Sequence, residues 1–268
     1  MHVSQSGLSM QIRQLEDALG HQLFDRRGRK LHLTEAGRIA LLHADAIFAT
    51  GDDLLATLDA RGKTGPSTLR AGALATLSRN FQIAFFKPAL QREDLQLHIE
   101  SGTFDELLDK LSDHRLDVVL SNRAAPHDDA HDWVSHRIAE QPVSLVGPAR
   151  YAGDRRALKT LLANEPLVVP TPDSSIRVGF DALVDRYGVR PNIVAEVDDM
   201  AMFRLVARSG IGLAVVPPIV VRDELESGRL VELRKVSELA ETFYAVTLPR
   251  RFPHPWVREL ITSALPLE

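Results

Sequence analysis

The stretch VSQSGLSMQIRQLEDALGHQLFDRRGRKLHLT, residues 3–34, decides how the first part of the chain folds. Its first half predicts a short amphipathic helix, because apolar residues recur every three or four positions along one face. Ser4 is a suitable N-cap for this helix, and Gly20 is a suitable C-terminal cap. The apolar face is formed by Leu8, Ile12, Leu15 and Leu19.

The second half of the stretch predicts a basic hairpin. Leu23 and Phe24 are expected to return to the core, and a charged run with one glycine follows at residues 25–30. Residues 31–33 then alternate in polarity, as in a strand. A helix in the DNA major groove beside phosphate-binding arginines is a common way of reading DNA. The spacing therefore predicts the second half of a winged helix-turn-helix, although an ordinary amphipathic helix with a charged surface turn has the same spacing.

Composition limits the classes of function. With 268 residues, the chain is long enough for about two domains. It has no cysteine, which excludes disulfide bonds and thiolate metal sites, and no apolar run long enough to span a bilayer. Net charge is −4, but residues 1–38 hold six basic and four acidic residues, whereas the remainder holds 26 basic and 32 acidic residues. A mildly basic head on an acidic body suits a DNA-binding part with a separate sensing part. We expect a cytoplasmic protein.

A specific set of residues between positions 3 and 37 matches a known pattern. The set is Val3-Ser4-Gln5, Leu8-Ser9, Gln11-Ile12, Leu15-Glu16, Leu19-Gly20, Leu23-Phe24, Arg26, Arg29 and Leu33-Thr34-Glu35-Ala36-Gly37. On these residues the chain resembles the LysR-type family of bacterial transcriptional regulators. Met10 departs from the pattern, which usually has a basic residue there. The DNA-binding residues that the resemblance implies are Gln5, Ser6, Ser9, Gln11, Arg13, Arg27 and Arg29.

The beginning of the chain is short compared with this family. Its members carry a first helix and most of a second before the point that corresponds to Met1. A single amphipathic helix has nothing against which to bury its apolar face. Either Met1 is an internal start, or the chain is truncated, or the head is nonfunctional as it stands. We expect the native protein to be longer by about 20–30 residues, the length of one helix and most of another.

A long helix is predicted after the hairpin. Thr34 is a suitable N-cap, Glu35 lies in the first turn, and a run of helix breakers occupies residues 62–66. In the LysR-type family this element is a linker helix that joins subunits, and the resemblance assigns residues 34–62 to it. The alternative is a helix that packs on its own domain, which would have the same apolar pattern. The apolar stripe comprises Ile39, Leu42, Ala46, Ala49, Leu54, Leu55 and Leu58.

Several segments resemble in particular the LysR-type regulators of sodium/proton antiporter genes. They are HADAIF at residues 43–48, GDDLL at residues 51–55, HRLDVVL at residues 114–120, and Ala125-Pro126. The resemblance implies control of an antiporter or stress-response gene, with sodium or alkaline pH as the signal.

From residue 67 onward the chain predicts an α/β body, because apolar strand patterns alternate with helix patterns. Strands are predicted at residues 68–74, 95–100, 116–122, 143–146, 167–169, 193–197 and 213–216, with helices at 77–90, 104–112, 176–187 and 200–209. The resemblance implies a two-lobed fold of the periplasmic-binding-protein type (type 2) over residues 67–268. Lobe I would comprise residues 67–142 and 229–268, and lobe II residues 143–228. The chain would cross from one lobe to the other near residues 141–143 and again near residues 229–232. Segments 230–233, 243–248 and 254–265 would return to lobe I.

The carboxyl ends of the predicted strands are the expected effector site, since ligands of open parallel sheets collect there, near helix N-termini. Ser, Thr and Asn at these ends suit a carboxylate or a hydrated ion, and paired aspartates suit a hard cation. The same residue types are frequent helix caps without any ligand. The candidate effector-binding residues are Thr76, Leu77, Ser78, Ser101, Thr103, Asn122, Thr171, Asp198 and Asp199.

No catalytic residue, metal site or cofactor is expected. Histidines and aspartates cluster at residues 127–136, as in some zinc sites, but the neighbouring proline and the run of acids indicate a solvated loop. Neither a Gly-x-Ser-x-Gly elbow nor a phosphate-binding glycine loop occurs. The predicted function is a regulator, a homodimer or homotetramer, that binds promoter DNA and a small effector. The alternative is a stand-alone small-molecule-binding protein or a lyase-like enzyme on the same two-lobed body, with a nonfunctional head.

Overall fold

The computed structural model describes residues 5–27, 30–59, 67–127, 132–249 and 254–264. The chain forms two compact units, Met1–Thr64 with Asp113–Arg115, and Gly65–Ser112 with Leu116–Glu268. The first unit contains helix α1 (Gln5–Leu19), strands β1 (Phe24–Arg27) and β2 (Lys30–Leu33), and helix α2 (Glu35–Asp59). Within the described residues, no helix has the length and apolar content that crossing a membrane requires.

Helix α1 confirms the predicted amphipathic helix. It is followed by Gly20, whose φ of 70° is in the left-handed region that ends helices, whereas Ser4, the predicted N-cap, lies outside the described residues. The predicted apolar face is only partly covered. Leu8, Leu15 and Leu19 remain about half exposed, at 52%, 49% and 49%.

The predicted hairpin is also confirmed. Strands β1 and β2 pair antiparallel, with Phe24 opposite Leu33 and Arg27 opposite Lys30. The carboxylate of Glu16 in α1 accepts hydrogen bonds from the N–H groups of Leu23 (2.7 Å) and Phe24 (3.1 Å). The start of the hairpin is therefore held against α1 by a charged acceptor, which makes stronger hydrogen bonds than a neutral one.

Helix α2 begins as predicted at a threonine cap. Gly37 N–H donates to Thr34 Oγ1 at 2.9 Å, and the same hydroxyl donates to the carbonyl of Gln22 at 2.6 Å. The helix runs to Asp59, and the breaker run at residues 62–66 lies outside the described residues. Among the side chains of α2 that the structure describes, the large, apolar and exposed ones are Ile39, Leu41, Ile47, Phe48 and Leu54. The side chains of Leu42, Ala46, Ala49, Leu55 and Leu58, which belong to the predicted stripe, lie outside the described part.

The second unit is α/β, as predicted. Its helices are α3 (Arg79–Leu90), α4 (Phe104–Ser112), α5 (Leu158–Asn164), α6 (Ser175–Tyr187), α7 (Met200–Ser209), α8 (Arg222–Glu226) and α9 (Pro255–Ser263). Its strands are β3 (Ser67–Leu74), β4 (Leu95–Gly102), β5 (Val118–Ser121), β6 (Val134–Pro148), β7 (Pro166–Pro170), β8 (Asn192–Val197), β9 (Leu213–Val216) and β10 (Leu230–Thr247). The strands form one sheet in the order β4-β3-β5-β10-β6-β9-β7-β8. Strands β3, β4 and β5 are parallel in one half, and β7, β8 and β9 are parallel in the other.

The two lobes are joined by β6 and β10, which pair antiparallel along almost their whole length. The predicted second crossing at residues 229–232 is wrong, and so is the return of 230–233 to lobe I. Residues 230–232 pair with 146–148 in lobe II, and β10 crosses at residues 236–241, opposite 141–143, where its register shifts. The error arose because one continuous strand serves both lobes, so that its apolar pattern shows no break at the crossing.

Two apolar clusters hold the second unit together. One covers the lobe I sheet under α3, α4 and α9 and continues under α7 of lobe II, and it includes the stacked rings of Phe81 and Phe243 at 3.8 Å. The other lies between the lobe II sheet and helices α5 and α6. The first cluster spans both lobes, so apolar burial, which is the main favourable term in folding, stabilises their contact.

Candidate functional site

The predicted DNA-binding residues of α1 do not all lie on the same side of the helix. Ser9 and Arg13 are exposed and four residues apart, so they lie on one face of the helix. Gln11 is also exposed, but it is two residues from each, about 200° around the axis, and therefore lies on the opposite side. Gln5 and Ser6 belong to the first turn of α1, Arg27 ends β1, and Arg29 lies outside the described residues.

A close contact fixes the beginning of α2 beside the hairpin. Leu23 is buried, and its carbonyl accepts the N–H of Thr34 at 3.0 Å. A Cβ placed on Gly37 would overlap this carbonyl oxygen. Only glycine allows such an approach, so the first turn of α2, the hairpin and α1 form one braced unit.

In lobe I, the predicted residues between β3 and α3 have different roles. Ser78 is buried and caps α3, its hydroxyl oxygen accepting the N–H of Phe81 at 3.4 Å. Leu77 is buried in the apolar cluster, which removes it from the surface of the cleft. The carbonyl of Thr76 accepts the N–H of Met200 at 3.4 Å, so the predicted loop contacts lobe II directly.

The loop between β4 and α4 is occupied by a capping box. Thr103 N–H donates to the carboxylate of Glu106 at 3.0 Å, and Glu106 N–H donates to Thr103 Oγ1 at 3.4 Å. The Thr103 hydrogen bonds hold the pKa of Glu106 below its ordinary value. Ser101 Oγ accepts from Arg79 Nη1 at 3.2 Å, which connects this loop to the start of α3.

Asn122 contacts a buried acid that sequence reasoning missed. Its side-chain amide donates to Oε1 of Glu241 at 2.9 Å, where β10 crosses between the lobes. Glu241 is 2% exposed, and its Oε2 is buried without a hydrogen-bond partner among the described residues. Burial raises the pKa of Glu241 to about 7, and the Asn122 hydrogen bond opposes the rise.

In lobe II, the predicted residues lie at the carboxyl ends of β7 and β8. Thr171 N–H donates to the carbonyl of Val197 at 3.3 Å. Asp199 caps α7 by accepting the N–H of Ala201 at 2.7 Å, and Asp198 accepts the N–H of Asp199 at 2.8 Å. Asp199 therefore has the capping role that the sequence left open beside cation binding, whereas Asp198 bonds to the backbone of the cap residue.

The histidine-rich segment lies partly outside the described residues, which omit 128–131. His136 Nε2 is 3.0 Å from Thr247 Oγ1, and burial lowers the pKa of this imidazole. Among the residues that the structure describes, no group of three or more His, Asp or Glu side chains could hold a metal ion.

A cavity of about 370 Å³ lies between the start of α3 and one face of α7. Of the predicted effector residues, only Ser78 lines it. Its arginines are Arg79, Arg204 and Arg208, and they were missed because Arg79 approaches the other two only when the lobes are assembled. The sequence does contain one indication of this site. Met200, Arg204 and Arg208 are spaced four residues apart, which places them on one face of α7.

Two family models match this chain. The LysR substrate binding domain matches residues 64–266, and the bacterial regulatory helix-turn-helix protein, lysR family, matches residues 1–38. The chain belongs to the LysR family of transcriptional regulators. Its two-lobed body and its helix-hairpin head have the architecture expected of that family.

Similar proteins are regulators of transcription. The chain is 24% identical over 266 residues to the transcriptional activator protein NhaR of Escherichia coli (strain K12), covering 98% of this chain and 87% of that protein. It is 26% identical over 241 residues to the RuBisCO operon transcriptional regulator of Allochromatium vinosum, covering 87% and 77%.

Solved structures share the fold. ArgP from Mycobacterium tuberculosis superposes with a TM-score of 0.60 at 21% identity, covering 98% of this chain and 87% of that one. DarR from Vibrio fischeri, solved in complex with DNA, superposes with a TM-score of 0.57 at 19% identity, covering 98% and 89%.

Proposed function

We propose that this regulator binds promoter DNA through α1 and the β1–β2 hairpin, and that a small effector in the second unit changes that binding. The protein acts in the cytoplasm, where bacterial promoters are, and carries out no covalent chemistry. The observation that carries the proposal is the exposed Ser9–Arg13 face of α1, on a helix that Glu16 braces to the basic hairpin. Such a helix fits the major groove, while basic residues of the hairpin neutralise phosphates.

The effector proposal rests on the junction of the lobes. Polar residues at the carboxyl ends of strands come from both lobes, and the Thr76–Met200 hydrogen bond crosses between them. A ligand in this region would touch both lobes at once. It would influence DNA binding only if its affinity differed between two arrangements of the protein.

We further assign residues 1–33 to the DNA-binding head, 34–62 to the linker helix and 67–268 to the effector-binding domain. The exposed apolar residues of α2, among them Ile47 (69%) and Phe48 (74%), support a homodimer or homotetramer formed through this helix.

The proposed target is a sodium/proton antiporter or stress-response gene. This rests on the segments at residues 43–48, 51–55 and 114–120 and on the similarity to NhaR along 98% of the chain. The similarity to a RuBisCO operon regulator is of the same size, so an antiporter promoter is the first target to test and the promoter of a RuBisCO operon the second.

Salt-dependent DNA binding tests the proposal. Fluorescence anisotropy of the full chain with its own upstream region, titrated from about 50 to 200 mM salt, should show at least a tenfold loss of affinity. Arg29→Ala should weaken binding to specific and shuffled DNA alike, whereas Gln5→Ala should weaken only the specific complex.

The rival function, a stand-alone binding protein or a lyase-like enzyme with a nonfunctional head, predicts a different outcome. In that case neither the upstream region nor shuffled DNA would bind at low salt, and both head variants would behave like the wild type. Such a result would refute the proposed function.

A further inference from the structure

A second cavity lies in lobe I, at the edge of the sheet opposite the candidate effector residues. Asp117, which lines this cavity, directly precedes β5, whereas Asn122 directly follows that strand. At the usual rise of a strand, the two positions are about 16 Å apart. Every described residue that lines the second cavity belongs to lobe I, so a ligand here contacts one lobe only.

The second cavity lies between α9 and the strand ends beside it. Thr247, at the end of β10, lines it together with His136, which is close to the start of β6. The volume of about 380 Å³ is within the range of small-molecule sites. One face of α9 forms the facing wall, and its lining residues are Val257, Arg258, Ile261 and Thr262.

The walls carry one carboxylate and one guanidinium group. Asp117 and Arg258 line the same cavity without forming an ion pair with each other. A simple anion would meet the carboxylate, and a simple cation would meet the guanidinium group. His136 Nε2 is 3.0 Å from Thr247 Oγ1, and because burial lowers the pKa of His136, this imidazole is uncharged at pH 7. The cavity therefore favours a molecule that carries both signs of charge.

A metal ion does not fit the donor groups of this cavity. Asp117, His136 and His254 all line it. Across the described part of the chain, however, no three His, Asp or Glu side chains are close enough together to hold a metal ion. An organic ligand is the remaining class.

The carboxylate of Asp117 is fixed in place by the backbone of β3. Its Oδ2 accepts the N–H of Arg70 at 2.8 Å, and the N–H of Asp117 donates to the carbonyl of Arg70 at 2.8 Å. Asp117 is 7% exposed. Since an ionised carboxylate has about four acceptor positions, it can accept hydrogen bonds from a ligand in addition to those from the protein.

Arg258 provides the opposite charge from α9. It is exposed, and its guanidinium group has no ion-pair partner among the residues that the structure describes. A guanidinium group can bind a carboxylate through two parallel hydrogen bonds. Between the two charges the walls are aliphatic, because Leu248, Val257 and Ile261 also line the cavity.

We propose that the second cavity binds an α-amino acid with an aliphatic side chain. The ammonium group donates to Asp117, the carboxylate is held by Arg258, and the side chain packs on the aliphatic wall. The ligand thereby connects α9 to the start of β5 and stabilises lobe I. This site is separate from the effector region between the lobes and does not depend on the proposed function.

A matched ligand series tests the requirement for both charges on the full chain. Alanine, valine and leucine, at about 10 mM, are compared by thermal unfolding with the same molecules lacking either the amino group or the carboxylate. For leucine these are 4-methylpentanoate and 3-methylbutylamine. At least one amino acid should raise the Tm by about 2 °C or more, whereas its two truncated forms should not. Titration calorimetry of that amino acid then gives its Kd.

Variants locate the site. Arg258→Gln should weaken amino-acid binding about tenfold or more, since it removes the charge that holds the carboxylate. Asp117→Asn should do the same at the ammonium end, while its amide oxygen can still accept the N–H of Arg70. Arg190→Gln, an exposed arginine outside the cavity, is the matched control and should bind like the wild type.

Arg258→Gln decides the outcome even if Asp117→Asn fails to fold, because Arg258 is exposed and makes no ion pair within the described residues. Three results would each overturn the inference. They are an equal response to an amino acid and to one of its truncated forms, an unchanged Kd for Arg258→Gln, and no response to any amino acid of the series.

Discussion

The side chain of Asn122, at the end of β5, donates a 2.9 Å hydrogen bond to Glu241, where β10 crosses between the lobes. This contact joins residues 119 positions apart in sequence. It satisfies one carboxylate oxygen of Glu241 and leaves the other buried without a partner among the described residues. A buried acid in this situation favours its neutral form, because desolvation penalises the charge.

Glu241 should make the stability of the second unit depend on pH. The pKa of Glu241 is raised from 4.5 to about 7 in the folded protein, so the folded state holds this proton to higher pH than the unfolded chain does. The contribution is therefore present below about pH 4.5 and is lost as pH rises through about 7, a loss of about 3 kcal/mol at most. Urea unfolding at about pH 5 and pH 8, followed by the fluorescence of Trp133 and Trp256, measures it.

Glu241→Gln should remove this part of the pH dependence, since an amide cannot titrate. Glu226→Gln, at an exposed position, is the control and should retain the wild-type dependence. Identical pH profiles for the wild type and Glu241→Gln would contradict the assignment.

Gly37→Ala should disrupt the head. The added methyl group overlaps the carbonyl oxygen of Leu23, and overpacking of this kind costs about 1–3 kcal/mol. We expect DNA affinity to fall about tenfold or more and proteolysis of the head to accelerate. Gly51→Ala in the same helix has open space around the new methyl group and should instead stabilise α2 by about 0.5–1 kcal/mol. If both variants bound DNA equally well, the proposed bracing of α2 would be wrong.

The two sides of α1 should differ in their contribution to DNA binding. Arg13→Ala removes a cation from the Ser9–Arg13 face and should weaken binding to all sequences, with a salt slope lower by about one. Gln11→Ala changes the opposite side of the helix and should leave affinity within about twofold. Anisotropy titrations at several salt concentrations measure both quantities, and a larger loss from Gln11→Ala would show that the other face of α1 contacts DNA.

Arg204→Gln should destabilise the second unit strongly. Glu224 is 3% exposed, and both of its carboxylate oxygens share the single N–H of Arg204 Nε at 2.9 Å, so the substitution leaves a buried carboxylate without its cation, at a cost of about 3 kcal/mol. Arg186→Gln breaks an exposed ion pair with Glu238 and should cost less than about 1 kcal/mol. Urea unfolding of the two variants compares these costs, and equal midpoints would contradict a structural role for the buried pair.

Local elements of this chain could be predicted because their signals are local. Residues 104–112 and 200–209 were expected to be helices and are α4 and α7, since the capping box at Thr103 and the cap at Asp199 mark their beginnings. The hairpin and the Thr34 cap were predicted for the same reason. The short helices α5 and α8 were missed, because five to seven residues give too little periodicity.

The candidate sites were only partly predictable, because they depend on contacts distant in sequence. The carboxyl ends of strands pointed to Thr76, Ser78, Asn122 and Asp199, but nothing near Asn122 indicates that Glu241 is its partner. The arginines of the cavity come from α3 and α7, and only the assembled sheet brings these helices together. The predicted DNA-binding residues also include Gln11, which lies on the opposite side of α1 from Arg13 because two residues of an α-helix turn it by about 200°.

The path of β6 and β10 determines the order in which the lobes can be completed during translation. The lobe I half of β10 pairs with β5 and β6 but is made after every residue of lobe II. A nascent chain that has emerged from the ribosome only as far as Ala240 therefore carries a finished second lobe beside a first lobe that lacks an internal strand. Premature termination at about Ala240 would leave lobe I, which is begun before lobe II, without one of its internal strands.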